Sequence, residues 1–251
     1  MNQGKVQEVF GKRAAGYVNS ASHADREVLR RVEKMCGDLR GRQVLDVATG
    51  TGHIALQLAS SAGRVVGLDL TKQMLALARM AARERHLYNV NWLRGDVLSL
   101  PFPDGTFHAV CCRRAPHHFP DLDRALKEMA RVLRPDGVMV IDDRSVPGDP
   151  ELDEMMNRLD RLHDPSHVRE YGAQEWGAAL RRAGLRLNAV HEYRRHLPLS
   201  TLTWDAEEED AREIERVVAS MPESLRERMA VEEVDGEMGV DHYYITLRAT
   251  K

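Results

Sequence analysis

QVLDVATGTG, residues 43–52, is the stretch that decides the fold of this 251-residue chain. Val44, Leu45 and Val47 have the apolar, mostly β-branched character that is typical of a strand buried on both faces. A glycine-rich turn follows, and apolar residues then continue from His53 without proline, as in a helix. This order predicts a site for an anionic or dinucleotide-like group, because glycine lets a ligand approach the N–H groups at a helix start.

Two later strands are expected to end in acids in the same way. VVGLDL, residues 65–70, ends at Asp69, and NVNWLRGDV, residues 89–97, ends at Asp96. The carboxyl ends of parallel strands meet at one edge of a sheet, where open α/β folds bind their ligands. The sequence therefore predicts that Asp46 joins these two carboxylates along one edge.

The remainder of the chain alternates helical and extended patterns. Two N-terminal helical stretches precede the first strand, and the second, residues 24–37, is expected to stop at Gly37. Further strands are expected at 107–114 and 138–143, and the strands at 185–197 and 242–250 are expected to form an antiparallel edge pair. A charged helical segment, residues 205–230, is inserted before the last strand. The fold class predicted is α/β, with a doubly wound, mostly parallel sheet.

Composition excludes several classes of protein. A formal net charge of -3 gives no reason to expect a nucleic-acid partner, which needs a clustered basic surface. No apolar run approaches the roughly 18 residues of a membrane span, and residues 1–10 lack the apolar core of a signal peptide. We therefore expect a cytoplasmic protein. The three cysteines form no C-x-x-C pair, so neither a disulfide framework nor a metal site is expected.

The glycine turn alone leaves two cofactors open. G-x-G-x-x-A, residues 50–55, with an acid roughly 20 residues later, also fits the nicotinamide-dinucleotide fingerprint. Several carboxylates close together would repel a pyrophosphate but would suit a ligand with a sulfonium, an amine and an adenine amino group. S-adenosylmethionine is such a ligand.

Five stretches of this chain resemble the successive motifs of the class I S-adenosylmethionine-dependent methyltransferases of the UbiE type, a small-molecule branch (methyltransferase domain 11). They are DVATGTG, GLDLTKQML, RGDVLSLPFPDGTFHAV, HHF and RALKEMARVLRPDG, within a similarity that spans about residues 10–190. The resemblance implies a Rossmann-like, seven-stranded sheet in a single domain. Residues 1–40 would be helices over the cofactor, 41–145 the cofactor-binding core, and 146–251 a C-terminal part with a substrate cover near 200–235.

The resemblance also implies a set of cofactor-binding residues. Asp46 would reach the amino group of S-adenosylmethionine, Asp69 both ribose hydroxyls, and Asp96 the adenine amino group. The product would be S-adenosylhomocysteine. The full set is Tyr17, Asp46, Ala48, Gly50, Gly52, Asp69, Leu70, Asp96, Val97 and Arg113.

Methyl transfer is an in-line displacement at carbon, so alignment and exclusion of water are its main requirements. A base is needed only when the nucleophile starts protonated. His117 and His118, which follow the fourth strand in RRAPHHFPD, are the catalytic candidates, although local packing would also explain them. His163 and His167 have the spacing of a metal pair on a helix, but Pro165 between them breaks that helix, and no metal is expected.

The acceptor is expected to be a small molecule, and the sequence leaves its identity and a homodimeric state open. Two other functions also remain open at this point. A nicotinamide-dependent oxidoreductase would explain the glycine pattern, but no Tyr-x-x-x-Lys proton-relay pair is evident. A non-catalytic protein that retains the cofactor fold would bind the cofactor without transferring its methyl group.

Overall fold

A computed structural model describes residues 4, 7–11, 25–234 and 236–251. Residues 7–11 are helical, and no helix within these ranges is long and apolar enough to cross a bilayer. The strands are β1 Gln43–Val47, β2 Arg64–Asp69, β3 Val90–Arg94, β4 Phe107–Arg113, β5 Leu133–Ser145, β6 Arg186–Pro198, β7 Glu232–Val234 and β8 Glu237–Thr250. The helices are α1 Arg26–Cys36, α2 His53–Ala59, α3 Lys72–Glu84, α4 Leu122–Val132, α5 Pro150–His163, α6 Ala173–Arg182, α7 Ser200–Thr203, α8 Glu208–Ala219 and α9 Glu223–Arg228.

One sheet contains all of these strands in the order β3-β2-β1-β4-β5-β8-β6, with β7 paired to β8 outside this path. Strands β1 to β5 are mutually parallel, and β8 runs antiparallel between β5 and β6. The predicted α/β class, the mostly parallel Rossmann-like sheet and its antiparallel edge are therefore confirmed. The strand order turns at β1, whose neighbours are β2 and β4, and such a switch point opens a crevice at the carboxyl edge.

Helices cover both faces of the parallel part of the sheet. On one face, α4 and α6 pack on alternate strand residues such as Leu45, and Trp176 of α6 is fully buried there. On the other face, α1 and α2 pack on Val44 and its neighbours. Burial on both faces explains why these strands are continuous apolar runs in the sequence.

The helical insertion between β6 and β8 builds a smaller core of its own. Leu202 of α7, Ile214 of α8 and Leu225 of α9 pack with Leu159 of α5 and Val240 of β8. The insertion is thus attached to the C-terminal half of the chain through α5.

Several predicted boundaries were wrong. β3 ends at Arg94, two residues before Asp96, which lies in the following turn. β5 begins at Leu133, five residues before the predicted start, because Leu133 pairs with Phe107 across an irregularity in the register. The segment 205–230 is two helices, since Pro222 interrupts the pattern between them. Gly37 does end α1, as predicted, with φ 76°.

A buried ionic cluster joins the end of β5 to the C-terminal half. Arg144 donates to Glu170, to Asp160 Oδ1 at 2.6 Å, and to His242 Nδ1 at 3.0 Å. Glu170 is fully buried, Asp160 is nearly so, and the cluster therefore connects β5, α5 and β8 through one guanidinium. Breaking such a network is costly, because a charge is left in the interior without its counter-charge.

Trp92 of β3 allows a test of the packing beneath the glycine turn. An added Cβ at Gly67 of β2 would lie 2.6 Å from the Trp92 ring, closer than any real contact. We expect Gly67→Ala to lower the free energy of unfolding by about 1–3 kcal/mol, measured by chemical denaturation.

Trp92→Leu should make room for the added methyl group, so its cost should shrink in the Gly67→Ala/Trp92→Leu double variant. Gly177→Ala in α6 is the control, because a Cβ there would sit 3.6 Å from its nearest neighbour, at ordinary contact distance. Equal costs of the methyl group with and without Trp92 would contradict the interpretation.

Candidate functional site

A pocket opens at the carboxyl edge of the sheet, where β1 lies between β2 and β4. It encloses about 1040 Å³ of empty space, which includes open solvent at its mouth. Its lining comes from the ends of the first four strands, from the segments that follow them and, at Phe10, from the helical residues 7–11. The lining residues are Phe10, Asp46, Ala48, Thr49, Gly50, Thr51, His53, Ile54, Leu68, Asp69, Leu70, Thr71, Met74, Gly95, Asp96, Val97, Arg113, Arg114, Ala115, His118, Phe119 and Pro120.

The glycine turn presents backbone to this pocket. Gly50 has φ 55°, and a Cβ added there would meet no atom within 4 Å, so its missing side chain leaves open space in the pocket. Ala48 has φ 53°, a left-handed conformation that a residue with a Cβ adopts only under constraint.

Gly52, predicted to bind the cofactor, does not line the pocket. Its φ is 88°, and its absent Cβ would lie 2.7 Å from the ring of Trp92. Gly52 therefore allows the turn to close on β3 at the start of α2.

Asp46 holds the turn from inside β1. Its Oδ2 accepts hydrogen bonds from Thr49 Oγ1 at 2.5 Å and from the Ala55 backbone N–H at 3.0 Å. The residue is 1% exposed, and burial raises the pKa of its carboxyl to about 7, with repulsion from Asp69 adding to the effect. A cation entering the pocket would relieve this cost.

Asp69 lies opposite at the end of β2. Its Oδ2 accepts from the Gly50 N–H at 2.8 Å and its Oδ1 from the Thr71 N–H at 2.7 Å. Burial raises the pKa of Asp69 as well. Each oxygen therefore has a fixed direction and can still accept from a ligand, since a carboxylate has about four acceptor positions. Thr71 is the N-cap residue of α3, but its side chain makes no capping hydrogen bond.

Asp96 and Val97 complete this edge in the turn after β3. The Leu98 N–H donates to Asp96 Oδ1 at 2.9 Å, and Val97 is 9% exposed. The three carboxylates predicted from the strand ends therefore line one pocket, although only Asp46 and Asp69 belong to strands.

Two arginines lie at the end of β4, on the other side of the pocket. Arg113 and Arg114 each lie 3.4 Å from Asp142 Oδ1 through Nε, and the Arg114 guanidinium stacks 3.8 Å above the Tyr244 ring. Burial lowers the pKa of Arg113. Both guanidinium groups therefore lie against the same carboxylate, that of Asp142.

The two candidate histidines lie in a 3-10 turn, Pro116–His118, and only His118 lines the pocket. Its ring meets Phe10 edge to face at 5.0 Å between centroids, and burial lowers its pKa, so it is neutral at pH 7. The neighbouring Phe119 and Pro120 make this corner of the pocket apolar.

His117 points instead to the end of β5. Its Nδ1 lies 2.6 Å from Asp143 Oδ1, and its backbone N–H donates to Asp143 Oδ2 at 2.9 Å. Burial lowers the pKa of His117 well below its usual range and raises that of Asp143 to about 7. His117 is not among the lining residues, so the structure separates the two histidines that the sequence treated together.

The sequence predicted the lining residues on one side of the pocket better than those on the other. Eight of the proposed cofactor-binding residues line it: Asp46, Ala48, Gly50, Asp69, Leu70, Asp96, Val97 and Arg113. Tyr17 lies outside the described residues. Phe119, Met74 and Thr51 were missed, and only their position just after a strand or turn could have signalled them. The insertion near 200–235 contributes no lining residue among those described, so its role as a cover stays a prediction.

The chain is similar in sequence and structure to known methyltransferases. The family described as Methyltransferase domain matches residues 45–141. YcgJ of Bacillus subtilis, an uncharacterized methyltransferase, is 38% identical over 195 residues, which cover 78% of this chain and 76% of that protein. Its crystal structure superposes with a TM-score of 0.84 over 90% of this chain and 98% of that one, at 30% identity.

A demethylmenaquinone methyltransferase of Lactococcus lactis is 34% identical over 154 residues, covering 59% of this chain and 61% of that protein. These similarities give no support to the nicotinamide-dependent oxidoreductase that the glycine pattern had left open. The chain belongs to the class I S-adenosylmethionine-dependent methyltransferases of the UbiE type, and its cofactor is S-adenosylmethionine.

Proposed function

We propose that this enzyme methylates a largely apolar small molecule that carries an ionisable hydroxyl group, such as a hydroxylated ring. His118 would act as the general base. The observation that carries this proposal is the position of His118 in an apolar corner of the same pocket that the carboxylates line, where burial lowers its pKa. A neutral imidazole can take a proton, and an apolar corner favours an acceptor with little charge.

The residues of the pocket fit S-adenosylmethionine. Open space at the Gly50 Cβ position lets a ligand contact the backbone there, and the buried carboxyl of Asp46 gains by meeting a cation. When bound, the cofactor supplies a methyl group on a positively charged sulfur. The charge pattern therefore favours an ammonium or sulfonium ligand over a pyrophosphate.

Each part of the cofactor has a matching group in the chain. Asp46 would neutralise the amino group, and Asp69, whose oxygens are oriented by the Gly50 and Thr71 N–H groups, would accept from the ribose hydroxyls. Asp96 would accept from the adenine amino group beside Val97. Ala48, Leu70 and Arg113 would border the ligand.

On the acceptor side, the chain's own task is to orient the nucleophile and remove its proton. Phe10, Phe119 and Pro120 would hold an apolar ring against His118, excluding water. His118 would then take the hydroxyl proton as the oxygen or its ring carbon becomes nucleophilic. Several relatives carry the name demethylmenaquinone methyltransferase, which supports a ring-containing acceptor of this kind.

Binding of S-adenosylhomocysteine should depend on Asp69. We expect Asp69→Asn to weaken this binding by about 10- to 100-fold, since a hydrogen bond to a charged acceptor is lost. Isothermal titration calorimetry measures the change. Asp153→Asn is the matched control, because Asp153 also accepts from a glycine N–H, that of Gly148, but lies outside the pocket lining. Unchanged affinity in Asp69→Asn would contradict the assignment.

The affinity for S-adenosylhomocysteine should also rise with pH. Because the pKa of Asp46 is raised to about 7, its carboxyl holds a proton below that pH, and an ammonium ligand must displace it. We expect the affinity to increase by up to about 10-fold per pH unit between pH 5.5 and 7 and to level off above 7. Asp46→Asn should flatten this profile. A wild-type affinity that is constant over the range would show that Asp46 is already ionised.

Catalysis should depend on His118 far more than binding does. His118→Gln should lower kcat by about 100-fold or more, with the S-adenosylhomocysteine affinity almost unchanged. Release of S-adenosylhomocysteine with alkyl-substituted hydroquinones and dihydroxynaphthalenes as acceptors provides the assay. His163→Gln is the control, since this histidine bonds the Leu202 carbonyl away from the pocket. Absence of transfer to every hydroxylated ring would refute the acceptor class.

A further inference from the structure

The loop of residues 164–169, which follows α5, packs against the turn that carries the two histidines. The Val168 and Arg169 N–H groups both donate to the His117 carbonyl, at 2.8 and 3.1 Å. The loop begins with the sequence Asp-Pro-Ser, in which Pro165 ends the helix and turns the chain back. The histidine spacing in this segment suggested a metal pair, but the residues between those histidines are the ones that reach His118.

Ser166 and Asp164 form a hydrogen-bonded chain that ends on His118. Asp164 Oδ1 lies 2.6 Å from Ser166 Oγ, which lies 3.1 Å from His118 Nδ1. Ser166 is fully buried, and Asp164 and His118 are 6% and 8% exposed. Neither Ser166 nor Asp164 lines the pocket, so these hydrogen bonds reach His118 from the side that faces away from the pocket.

The donor in each of these bonds follows from counting hydrogens. Asp164 Oδ1 also accepts from the Ser166 backbone N–H at 2.7 Å, as expected of a carboxylate oxygen. The single hydroxyl hydrogen of Ser166 is then donated to Asp164, so its oxygen accepts from His118. His118 therefore carries its proton on Nδ1, and Nε2 holds the lone pair.

We propose that Asp164 and Ser166 are positioning residues that hold His118 in the tautomer with Nε2 as the basic atom. This inference rests on the proposed role of His118 as general base. The acceptor O–H bond breaks and its proton forms a bond to Nε2, while both electrons of the O–H bond stay on the acceptor. The resulting imidazolium donates from Nδ1 to Ser166, which transmits the charge of Asp164, and Nε2 later returns the proton to water. No other reactant is needed.

The tautomer can be measured without any acceptor. Long-range ¹H–¹⁵N correlation spectra of histidine-labelled protein distinguish the two neutral forms, and His118→Gln assigns the His118 signals. We expect His118 in the wild-type protein to carry hydrogen on Nδ1. In Ser166→Ala the proton should move wholly or partly to Nε2. Ser145→Ala, which removes another buried hydroxyl, one bonded to the Tyr171 carbonyl, should leave the His118 signals unchanged.

Kinetics provide a second, separate measurement. Ser166→Ala and Asp164→Asn should lower kcat for a dihydroxynaphthalene acceptor by about 10- to 100-fold. Affinity for S-adenosylhomocysteine should not change. The acidic limb of the kcat profile should move to lower pH, because the charged form of His118 loses its support. Ser166→Thr, which keeps the hydroxyl, should recover part of the loss.

A wild-type His118 with its proton on Nε2, or a tautomer that Ser166→Ala leaves unaltered, would overturn the inference. If Ser166→Ala does not fold, the wild-type spectrum and Asp164→Asn decide the question. A protein that ignores S-adenosylhomocysteine but shows the Nδ1 tautomer would refute the proposed cofactor contacts and leave this arrangement intact.

Discussion

The site depends on one constraint: a single buried oxygen, Asp46 Oδ2, accepts two hydrogen bonds. It ties the end of β1 to the turn at Thr49 and to the first turn of α2 at Ala55. Between these points the backbone takes left-handed conformations at Ala48, Gly50 and Gly52. The turn then lines the pocket at the sheet edge, where its Gly50 N–H donates to Asp69. The geometry of the pocket is thus a consequence of a strand residue rather than of the glycines alone.

Burial gives the two ends of the pocket opposite character. At one end it makes carboxylates costly, so a cation is favoured there. At the other end it keeps an imidazole neutral, so a proton can be accepted. Under the proposed function, the same desolvation would suit one cavity to a positively charged methyl donor and to a protonated nucleophile. The two ends lie apart because the carboxylates lie at or just after the ends of β1, β2 and β3 on one side of the strand switch, whereas His118 lies in the turn after β4.

The sequence predicted what local patterns control. Two patterns were sufficient to predict the sheet and one wall of the pocket: the apolar strands that end in Asp46 and Asp69, and the glycine turn. The partners of His118 were not predictable, because Ser166 lies 48 residues away and meets it only through tertiary packing. The start of β5 was missed for the same reason, since Leu133 pairs with a residue of β4 across a register shift. The sequence also did not predict that Gly52 packs against Trp92 instead of lining the pocket, because this contact joins distant segments.

The ion cluster around Arg144 limits where this chain can be joined to the C-terminal half of another protein. Its members come from β5, from α5, from the segment before α6 and from β8. The charges of these four segments must therefore compensate one another. Replacing the C-terminal half with one that lacks the two acids, Asp160 and Glu170, would leave the Arg144 guanidinium in the interior without a counter-charge. The end of β5 is therefore a poor junction for a chimera unless the new half supplies the same charges.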